Sequence, residues 1–271
     1  MEPGDLTSRL PALDDLVRLA VAAGQAIMPF YRGPCAISTK ADASPVTEAD
    51  RAAEAIILAG LRALDPALPV IAEEEAAAGR VPQTGSTFVL VDPLDGTREF
   101  VAGRDEFTVN IAIVDEGVPV RGVVYAPALG RLWAGDIGTG AWRARIDAER
   151  DGDLRRQPIA ARQPPAAGLV AVASRSHRTP ETDAYLARFT ISDLVSAGSS
   201  LKFCLVAEGK ADLYPRLGRT MEWDTAAGHA VLRAAGGEVL TLDGLPLTYG
   251  KRERGYDNPH FVAVGRATDG L

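Results

Sequence analysis

The chain has 271 residues, of which 46% are hydrophobic and 24% are charged, which is the composition of an ordinary globular protein. Its net charge of −7 excludes the basic surface that binding to nucleic acid or anionic lipid requires. The two cysteines, Cys35 and Cys204, are too few for a disulfide framework or a zinc site and indicate a reducing compartment. Residues 1–9 are polar and no apolar run reaches the length of a transmembrane segment. We therefore expect a cytoplasmic protein and leave open peripheral attachment at the inner membrane.

Two amphipathic helices are predicted near the start of the chain. Apolar residues at three- and four-residue steps indicate one helix over residues 13–29. A second helix follows Thr47, which is a good N-cap, and it ends at the Asp-Pro pair at residues 65–66. Asp50 then lies at the third helical position, where an acid completes a capping box with the threonine. Taken alone, this structural role explains Asp50 fully.

Acidic side chains follow two predicted strands at the points where the strands end. Residues 69–72 and 88–91 are short apolar runs typical of buried strands. Glu73 directly follows the first run, and Asp92 and Asp95 follow the second. Each motif alone is more often a solvated acidic surface or a polar turn. If the two strands are neighbours, however, Glu73 and Asp92 come together beside Asp95.

Such a cluster suits a hard divalent cation, because magnesium prefers oxygen ligands in near-octahedral geometry. Asp224 is a further acid at the start of a predicted helix, where an N-cap role is the simpler explanation for it alone. Gly96 and Thr97 would offer backbone N–H groups to a phosphate at a helix N-terminus. The Thr97 hydroxyl could bind an attacking water, with Asp50 accepting the threonine proton. The oxygen donors for a metal are the side chains of Glu73, Asp92, Asp95 and Asp224 and the carbonyl of Leu94.

The rest of the chain divides into two patterns. Four short β segments between residues 107 and 143, separated by turn signals, predict an antiparallel meander. Residues 146–166 are charged and then rich in proline and glutamine, so we place a boundary there between a half at 1–150 and a half at 166–271. The second half alternates strands and helices, which predicts α/β layering.

Taken together, these motifs resemble both signatures of the inositol-monophosphatase-like, lithium-sensitive phosphatase superfamily. The two signatures are the segments Asp92–Thr97 and Trp223–Gly228. Further segments are similar to the bacterial 3′(2′),5′-bisphosphate nucleotidase branch of that superfamily, and the likeness runs from about Ala20 to Val264. These segments are Ser44–Thr47, Phe107–Ala112, Gly122–Pro127, Ser174–His177 and Gly198–Gly209.

The resemblance implies a fold and an activity. The fold is a layered αβαβα sandwich of mixed α+β and α/β character, with an antiparallel sheet in the N-terminal half and a mostly parallel mixed sheet in the C-terminal half. The activity is magnesium-dependent hydrolysis of the 3′-phosphate of adenosine 3′,5′-bisphosphate, with two or three ions per site and inhibition by lithium. Some members also act on 3′-phosphoadenylyl sulfate, and the reaction removes a by-product of sulfate activation. The expected partner is a small nucleotide bisphosphate, in a monomer or homodimer.

The resemblance also implies roles for individual residues. The metal ligands are Glu73, Asp92, Leu94 through its carbonyl, Asp95 and Asp224, and the catalytic residues are Asp50, Thr97 and Glu73. Arg216 stands where the inositol branch commonly has a glutamate, and a cation suits a second phosphate or a purine. Lys202 and Arg175 are equally well explained as solvated cations. The full set of expected substrate contacts is Leu94, Asp95, Gly96, Thr97, Asp224, Arg175, Ser199, Ser200, Lys202 and Arg216.

Two other functions remain open. The first is an inositol-1-phosphatase or related sugar phosphatase with the same fold, against which Arg216 and the segment Gly198–Lys202 argue. The second is a metal-binding regulatory protein without turnover. A protein of that kind would have no need of Asp50 and Thr97 together.

Overall fold

The structure, a computed structural model, describes residues 10–33, 35–39, 45–146, 154–174 and 179–266. The α-helices in this part of the chain are α1 (Leu13–Ile27), α2 (Glu48–Leu64), α3 (Glu73–Ala77), α4 (Thr97–Val101), α5 (Pro180–Leu186), α6 (Leu201–Ala207) and α7 (Glu222–Ala234). The strands up to residue 146 are β1 (Ile37–Thr39), β2 (Pro45–Thr47), β3 (Val70–Ala72), β4 (Thr87–Asp95), β5 (Thr108–Asp115), β6 (Val118–Ala126), β7 (Arg131–Asp136) and β8 (Gly140–Arg145). The later strands are β9 (Gln157–Ile159), β10 (Leu169–Ser174), β11 (Ile191–Ala197), β12 (Leu213–Arg216), β13 (Glu238–Thr241) and β14 (Phe261–Val264).

The larger sheet has seven strands in the order β3-β4-β5-β6-β7-β8-β9. Strands β3 and β4 are parallel, and the remaining neighbours are antiparallel, which confirms the predicted meander. Strand β4 was expected to stop at Asp92, but it continues to Asp95. Its pairing with β5 is irregular between those two residues, where Pro93 has no N–H to donate.

The smaller sheet has five strands in the order β11-β10-β12-β14-β13. Strand β10 is parallel to both β11 and β12, whereas β14 is antiparallel to both β12 and β13. This is a mixed sheet, as expected. A separate pair, β1 with β2, precedes α2 and was not predicted, because its strands have only three residues each.

The elements stack as five layers, αβαβα. Alternate strand residues of the larger sheet point to opposite faces, so that Val89 and Val91 pack under α1 and α2 while Phe88 and Leu90 face the other way. That second face packs against α6 and α7, which in turn cover one face of the smaller sheet. Helix α5 covers the opposite face of the smaller sheet through residues such as Leu186. The layered sandwich implied by the resemblance is therefore confirmed.

Helix α7, from the second half of the chain, lies directly on the sheet of the first half. A side chain at Gly122 would place its Cβ 2.6 Å from the Ala227 carbonyl oxygen, and one at Gly135 would meet the Val231 Cα at 2.8 Å. These two glycines therefore allow the helix to approach the strands closely. Strand β9 lies inside the expected boundary region and pairs with β8, so the larger sheet extends into it. The division into two halves stays a prediction.

The helix boundaries near the acidic motifs include two corrections. Helix α2 begins after Thr47, as predicted. Helix α7 begins at Glu222 rather than at Thr225, so Asp224 is the third helical residue and not the cap. Residues 76–87 follow the acidic run and their sequence predicts a loop or flap, but the short helix α3 extends into this stretch as far as Ala77.

Candidate functional site

The acidic cluster forms where β3 and β4 end side by side. Ala72 and Val91 are paired across these parallel strands, so Glu73 and Asp92, the residues that follow them, leave the sheet together. The two side chains are close enough that the charge of Glu73 raises the pKa of Asp92 beyond the larger effect of burial. The predicted meeting of Glu73 and Asp92 is therefore confirmed.

The carboxyl groups of the cluster are buried and repel one another. Burial raises the pKa of Asp92 well above its usual range, and the charges of Glu73, Asp95 and Asp224 raise it further. Burial, followed by the charges of Asp95 and Glu73, raises the pKa of Asp224 to about 8. The pKa of Asp95 is also raised by burial, although the Lys202 ammonium opposes the shift. The cluster lacks positive charge to match its four acids, and a bound cation would supply it.

The donor set fits magnesium better than a soft metal. Among the residues that the structure describes, no three carboxylate, imidazole or thiol groups surround one point as a closed metal site. Magnesium does not require such a cage, because it keeps several waters and is usually held by one or two carboxylates per ion. All the donors here are oxygens: the four carboxyl groups and the nearby carbonyl of Leu94. An open site for a hard cation is the arrangement they allow.

Asp50 is held in place by the N-terminus of α2 and contacts the hydroxyl of Thr97, which lies just after the end of β4. Its Oδ2 accepts hydrogen bonds from the Thr47 backbone N–H at 2.7 Å and from the Thr47 hydroxyl at 2.6 Å. Its Oδ1 lies 3.3 Å from the Thr97 Oγ1, which is also 3.2 Å from the Leu94 carbonyl oxygen. The capping box therefore leaves one oxygen of a buried carboxylate directed at a threonine hydroxyl beside the acidic cluster.

Gly96 makes the turn that links Asp95 to Thr97. Its φ is +92°, in the left-handed region that glycine tolerates best. A Cβ at this position would lie 2.3 Å from the Ser199 Oγ and 3.2 Å from the Glu106 carbonyl oxygen. Helix α4 begins immediately afterwards at Thr97. Both the conformation and the space require glycine here.

Ser199 and Ser200 brace the site from the segment before α6. The Ser199 Oγ lies 2.9 Å from the Asp95 carbonyl oxygen and 2.8 Å from that of Glu106. The Ser200 Oγ donates to the Asp224 carbonyl oxygen at 2.9 Å and accepts from the Asn110 Nδ2 at 3.0 Å. These hydroxyls join elements around the acids, and their expected contact with substrate stays a prediction. Sequence reasoning missed Asn110, whose signal was a polar residue inside an otherwise apolar strand.

Two of the expected cations lie beside the acids. Lys202 is buried, its Nζ donates to the Ser199 carbonyl oxygen, and it lies 5.3 Å from the centre of the Tyr214 ring. Burial lowers its pKa to about 8, opposed by the charge of Asp95. Arg216 donates from Nη2 to the Arg219 carbonyl oxygen at 3.0 Å, and its buried Nε has no hydrogen-bond partner within the described part of the chain. Arg175 lies outside the described residues.

No helix in the described ranges has both the length and the apolar character needed to cross a bilayer. Both cysteines are free thiols, with Cys204 buried and Cys35 partly exposed.

The comparisons with known proteins agree with this geometry. The inositol monophosphatase family model matches residues 11–267. The 3′(2′),5′-bisphosphate nucleotidase CysQ of Escherichia coli (strain K12) is 47% identical over 251 residues, which cover 92% of this chain and 98% of that protein. Among solved structures, CysQ from Bacteroides thetaiotaomicron is 40% identical with a TM-score of 0.79, covering 94% of this chain and 97% of its own. The inositol monophosphatase from Anabaena is 27% identical with a TM-score of 0.71, covering 94% and 90%.

The chain therefore belongs to the inositol monophosphatase family, a class of phosphatases. Within that family it is similar to the bisphosphate nucleotidases named CysQ over nearly its whole length.

Proposed function

We propose that the chain is a magnesium-dependent phosphatase that hydrolyses the 3′-phosphate of adenosine 3′,5′-bisphosphate to AMP and phosphate. A second substrate would be 3′-phosphoadenylyl sulfate, hydrolysed at its own 3′-phosphate. This activity would remove a by-product of sulfate activation in the cytoplasm. The active protein would be a monomer or a homodimer. The 47% identity to a CysQ nucleotidase supports the nucleotide substrate, and the acidic cluster supports the dependence on metal.

The residues that would hold the metal surround the end of β4. They are Glu73, Asp92, the carbonyl of Leu94, Asp95 and Asp224. When bound, two or three magnesium ions would orient the phosphate, lower the pKa of the attacking water and stabilise charge on the leaving oxygen. Without them, burial and mutual repulsion raise the pKa values of Asp92 and Asp224, which favours the protonated forms of these two groups.

The observation that carries the catalytic assignment is the contact between Asp50 and Thr97. The Thr97 Oγ1 lies 3.3 Å from the Asp50 Oδ1, and the other oxygen of Asp50 is held in place by Thr47. In the proposed mechanism, the Thr97 hydroxyl accepts a hydrogen bond from the attacking water and donates its own proton to Asp50. This hydrogen-bonded chain orients the water, and the Asp50 carboxylate stabilises the positive charge that develops on the water as the water loses its proton. A purely structural cap would not need a hydroxyl partner on its second oxygen.

Substrate choice is assigned to Lys202 and Arg216. Each is a buried or partly buried cation beside the acids, so each would attract an anionic group rather than a neutral hydroxyl. The Nε of Arg216 supports this role, because it is buried and has no hydrogen-bond acceptor among the described residues. A buried N–H without an acceptor destabilises the protein, and an oxygen of the ligand would satisfy it. Inositol monophosphates carry a single phosphate and offer no second anion for these side chains.

The test is phosphate release from adenosine 3′,5′-bisphosphate and from inositol 1-phosphate, with and without magnesium. We expect fast release from the nucleotide only when magnesium is present. A preference for inositol 1-phosphate would retain the metal site and overturn the substrate assignment. Release from neither substrate would return the chain to a non-catalytic metal-binding function.

Variants refine the same assay. Thr97→Val should lose turnover, whereas Thr97→Ser, which keeps the hydroxyl, should retain most of it. Arg216→Gln should raise the KM for the nucleotide and leave the KM for inositol 1-phosphate nearly unchanged. An equal effect on both substrates would assign Arg216 to the fold instead.

A further inference from the structure

Asn110 is a polar side chain in the middle of an otherwise apolar strand. It lies on β5, and it is completely shielded from solvent. A buried amide in such a place destabilises a protein unless its donors and its acceptor find partners. The proposed chemistry gives this residue no role, so its contacts must explain why it is there.

Asn110 faces the acidic cluster from the strand next to β4. It is paired with Asp92 in antiparallel register, and residues directly opposite each other in such a pair direct their side chains to the same face of the sheet. The irregularity after Asp92 then places Asp95 opposite Thr108. The Asn110 Nδ2 and the Thr108 Oγ1 each lie 3.5 Å from the Asp95 Oδ2. Two of the proposed metal ligands therefore adjoin this one amide.

A second contact of the amide leads to Asp224. The Asn110 Nδ2 donates to the Ser200 Oγ at 3.0 Å, and the Ser200 hydroxyl donates to the Asp224 carbonyl oxygen at 2.9 Å. Because a hydroxyl has only one proton, Ser200 can only accept from Asn110. This contact decides which end of the amide is the nitrogen. The side chain of Asn110 therefore connects β5 with the helix that carries Asp224.

The oxygen end of the amide has no hydrogen-bond donor. The Asn110 Oδ1 is buried, and none of the described residues donates to it. A buried acceptor without a donor is uncommon in proteins and calls for a physical explanation. The neighbouring carboxylates cannot satisfy it, because an ionised carboxylate only accepts hydrogen bonds. Magnesium keeps several waters when carboxylates bind it, and a water of this kind would supply the missing donor.

We propose that Asn110 is a positioning residue of the metal site, whose nitrogen orients the Asp95 carboxylate and whose Oδ1 accepts a hydrogen bond from a water of the hydrated magnesium ion. This assignment rests on the proposed function and adds to it a residue that lies outside both signature motifs. An amide suits the role because it provides donors and an acceptor without adding charge to four acids that repel one another. Side chains that orient metal ligands in this way affect metal affinity strongly although they do not touch the metal.

The test measures magnesium binding by calorimetry without substrate, together with the unfolding of the metal-free protein. Asn110→Leu keeps a branched side chain but removes the donors and the acceptor. Asn110→Asp keeps the shape and the oxygen, removes the nitrogen and adds a negative charge. Thr182→Val is the matched control, because it removes a buried hydroxyl from α5, on the far side of the smaller sheet.

We expect Asn110→Leu to raise the Kd for magnesium by about tenfold or more, whereas Thr182→Val should leave it unchanged. Asn110→Asp should bind magnesium at least as tightly as the wild type, because a fifth carboxylate attracts the cation. Its kcat at saturating magnesium should nevertheless fall, because the nitrogen that orients Asp95 is gone. Its metal-free form should also be less stable than the wild type, because the new acid is repelled by its neighbours.

A residue that only braces the fold would not separate the leucine and aspartate variants in this way. A leucine variant with the wild-type Kd, or an equal weakening of magnesium binding in both variants, overturns the assignment. If the leucine variant does not fold, the aspartate variant decides, and either weaker magnesium binding or a normal kcat overturns the assignment.

Calorimetry also separates this inference from the proposed function, because magnesium binding requires no turnover. If the wild-type protein binds magnesium but releases phosphate from no substrate, the proposed function is rejected and the Kd values alone decide the role of Asn110. If the wild-type protein releases phosphate normally and the variants show the wrong Kd values, only the role of Asn110 is rejected. A wild-type protein that binds no magnesium rejects both.

Discussion

Replacement of Thr47 by valine should weaken both the fold and catalysis, because this residue caps α2 and fixes Asp50. Thr47→Val keeps the shape of the side chain but removes the hydroxyl that accepts from the Ala49 N–H at 3.2 Å and donates to Asp50 at 2.6 Å. Loss of an N-cap costs about 1 kcal/mol, and loss of a hydrogen bond to a charged group costs about 1.5–3 kcal/mol. The Thr47 backbone N–H still binds Asp50, so we expect a total of about 2–3 kcal/mol. For a chain of this size that lowers Tm by roughly 5–10 °C.

The effect on turnover should be separate from the effect on stability. With one of its two constraints gone, Asp50 should hold the Thr97 hydroxyl less well, and kcat should fall about tenfold to a hundredfold, within the range that positioned proton transfer contributes. The assays are urea unfolding and phosphate release at a temperature where the variant is fully folded. Thr47→Ser is the control, and it should resemble the wild type in both assays. A valine variant that is destabilised but has normal kcat would refute the role of Thr47 in orienting Asp50.

Three other predictions concern the acidic cluster, a buried histidine and a helix–sheet contact. Asp95→Asn should abolish phosphate release but leave the metal-free protein at least as stable as the wild type in thermal unfolding, because the substitution removes one of several acids that repel one another. Near-normal turnover of this variant would reject the site assignment. Burial lowers the pKa of His229 below its usual value of 6.5, so the unfolded chain binds this proton more readily and the free energy of unfolding should fall as the pH drops below about 6.5. In urea unfolding, His229→Gln should reduce the dependence of that free energy on pH, and an unchanged dependence would contradict the reasoning. Gly122→Val should cost about 1–3 kcal/mol by displacing α7, whereas Gly85→Ala, whose Cβ meets nothing within 4 Å, should be nearly neutral, and equal unfolding free energies for the two would show that α7 adapts without strain.

The local features of the site could be predicted because they depend on neighbouring residues. The capping box of Thr47 and Asp50 was expected from a threonine, an acid three residues later and an apolar helix face, and all three act within one turn. The meeting of Glu73 and Asp92 needed one further assumption, that two apolar strands end side by side. Parallel pairing of β3 with β4 satisfies it.

Other parts of the prediction were wrong or incomplete because distant elements decide them. Helix α7 begins before Trp223 because the preceding turn is tied to residues near the end of the chain, where Asn258 binds Met221 and Thr225. Strand β4 continues past its proline because β5 resumes pairing with it at Asp95. Neither contact leaves a pattern in a short window of sequence.

The sequence by itself determined the first two helices, the meander and the acids at the strand ends, and it selected Asp50 and Thr97 as candidates beside those acids, because periodicity, caps and turn residues are local properties. Only the tertiary structure decided how Asp224 joins Glu73, Asp92 and Asp95, since these residues come from separate elements that α7 brings together by packing on Gly122. The fold alone likewise places Arg219 and Arg254, which are far apart in the chain, on the shared carboxylate of Asp257.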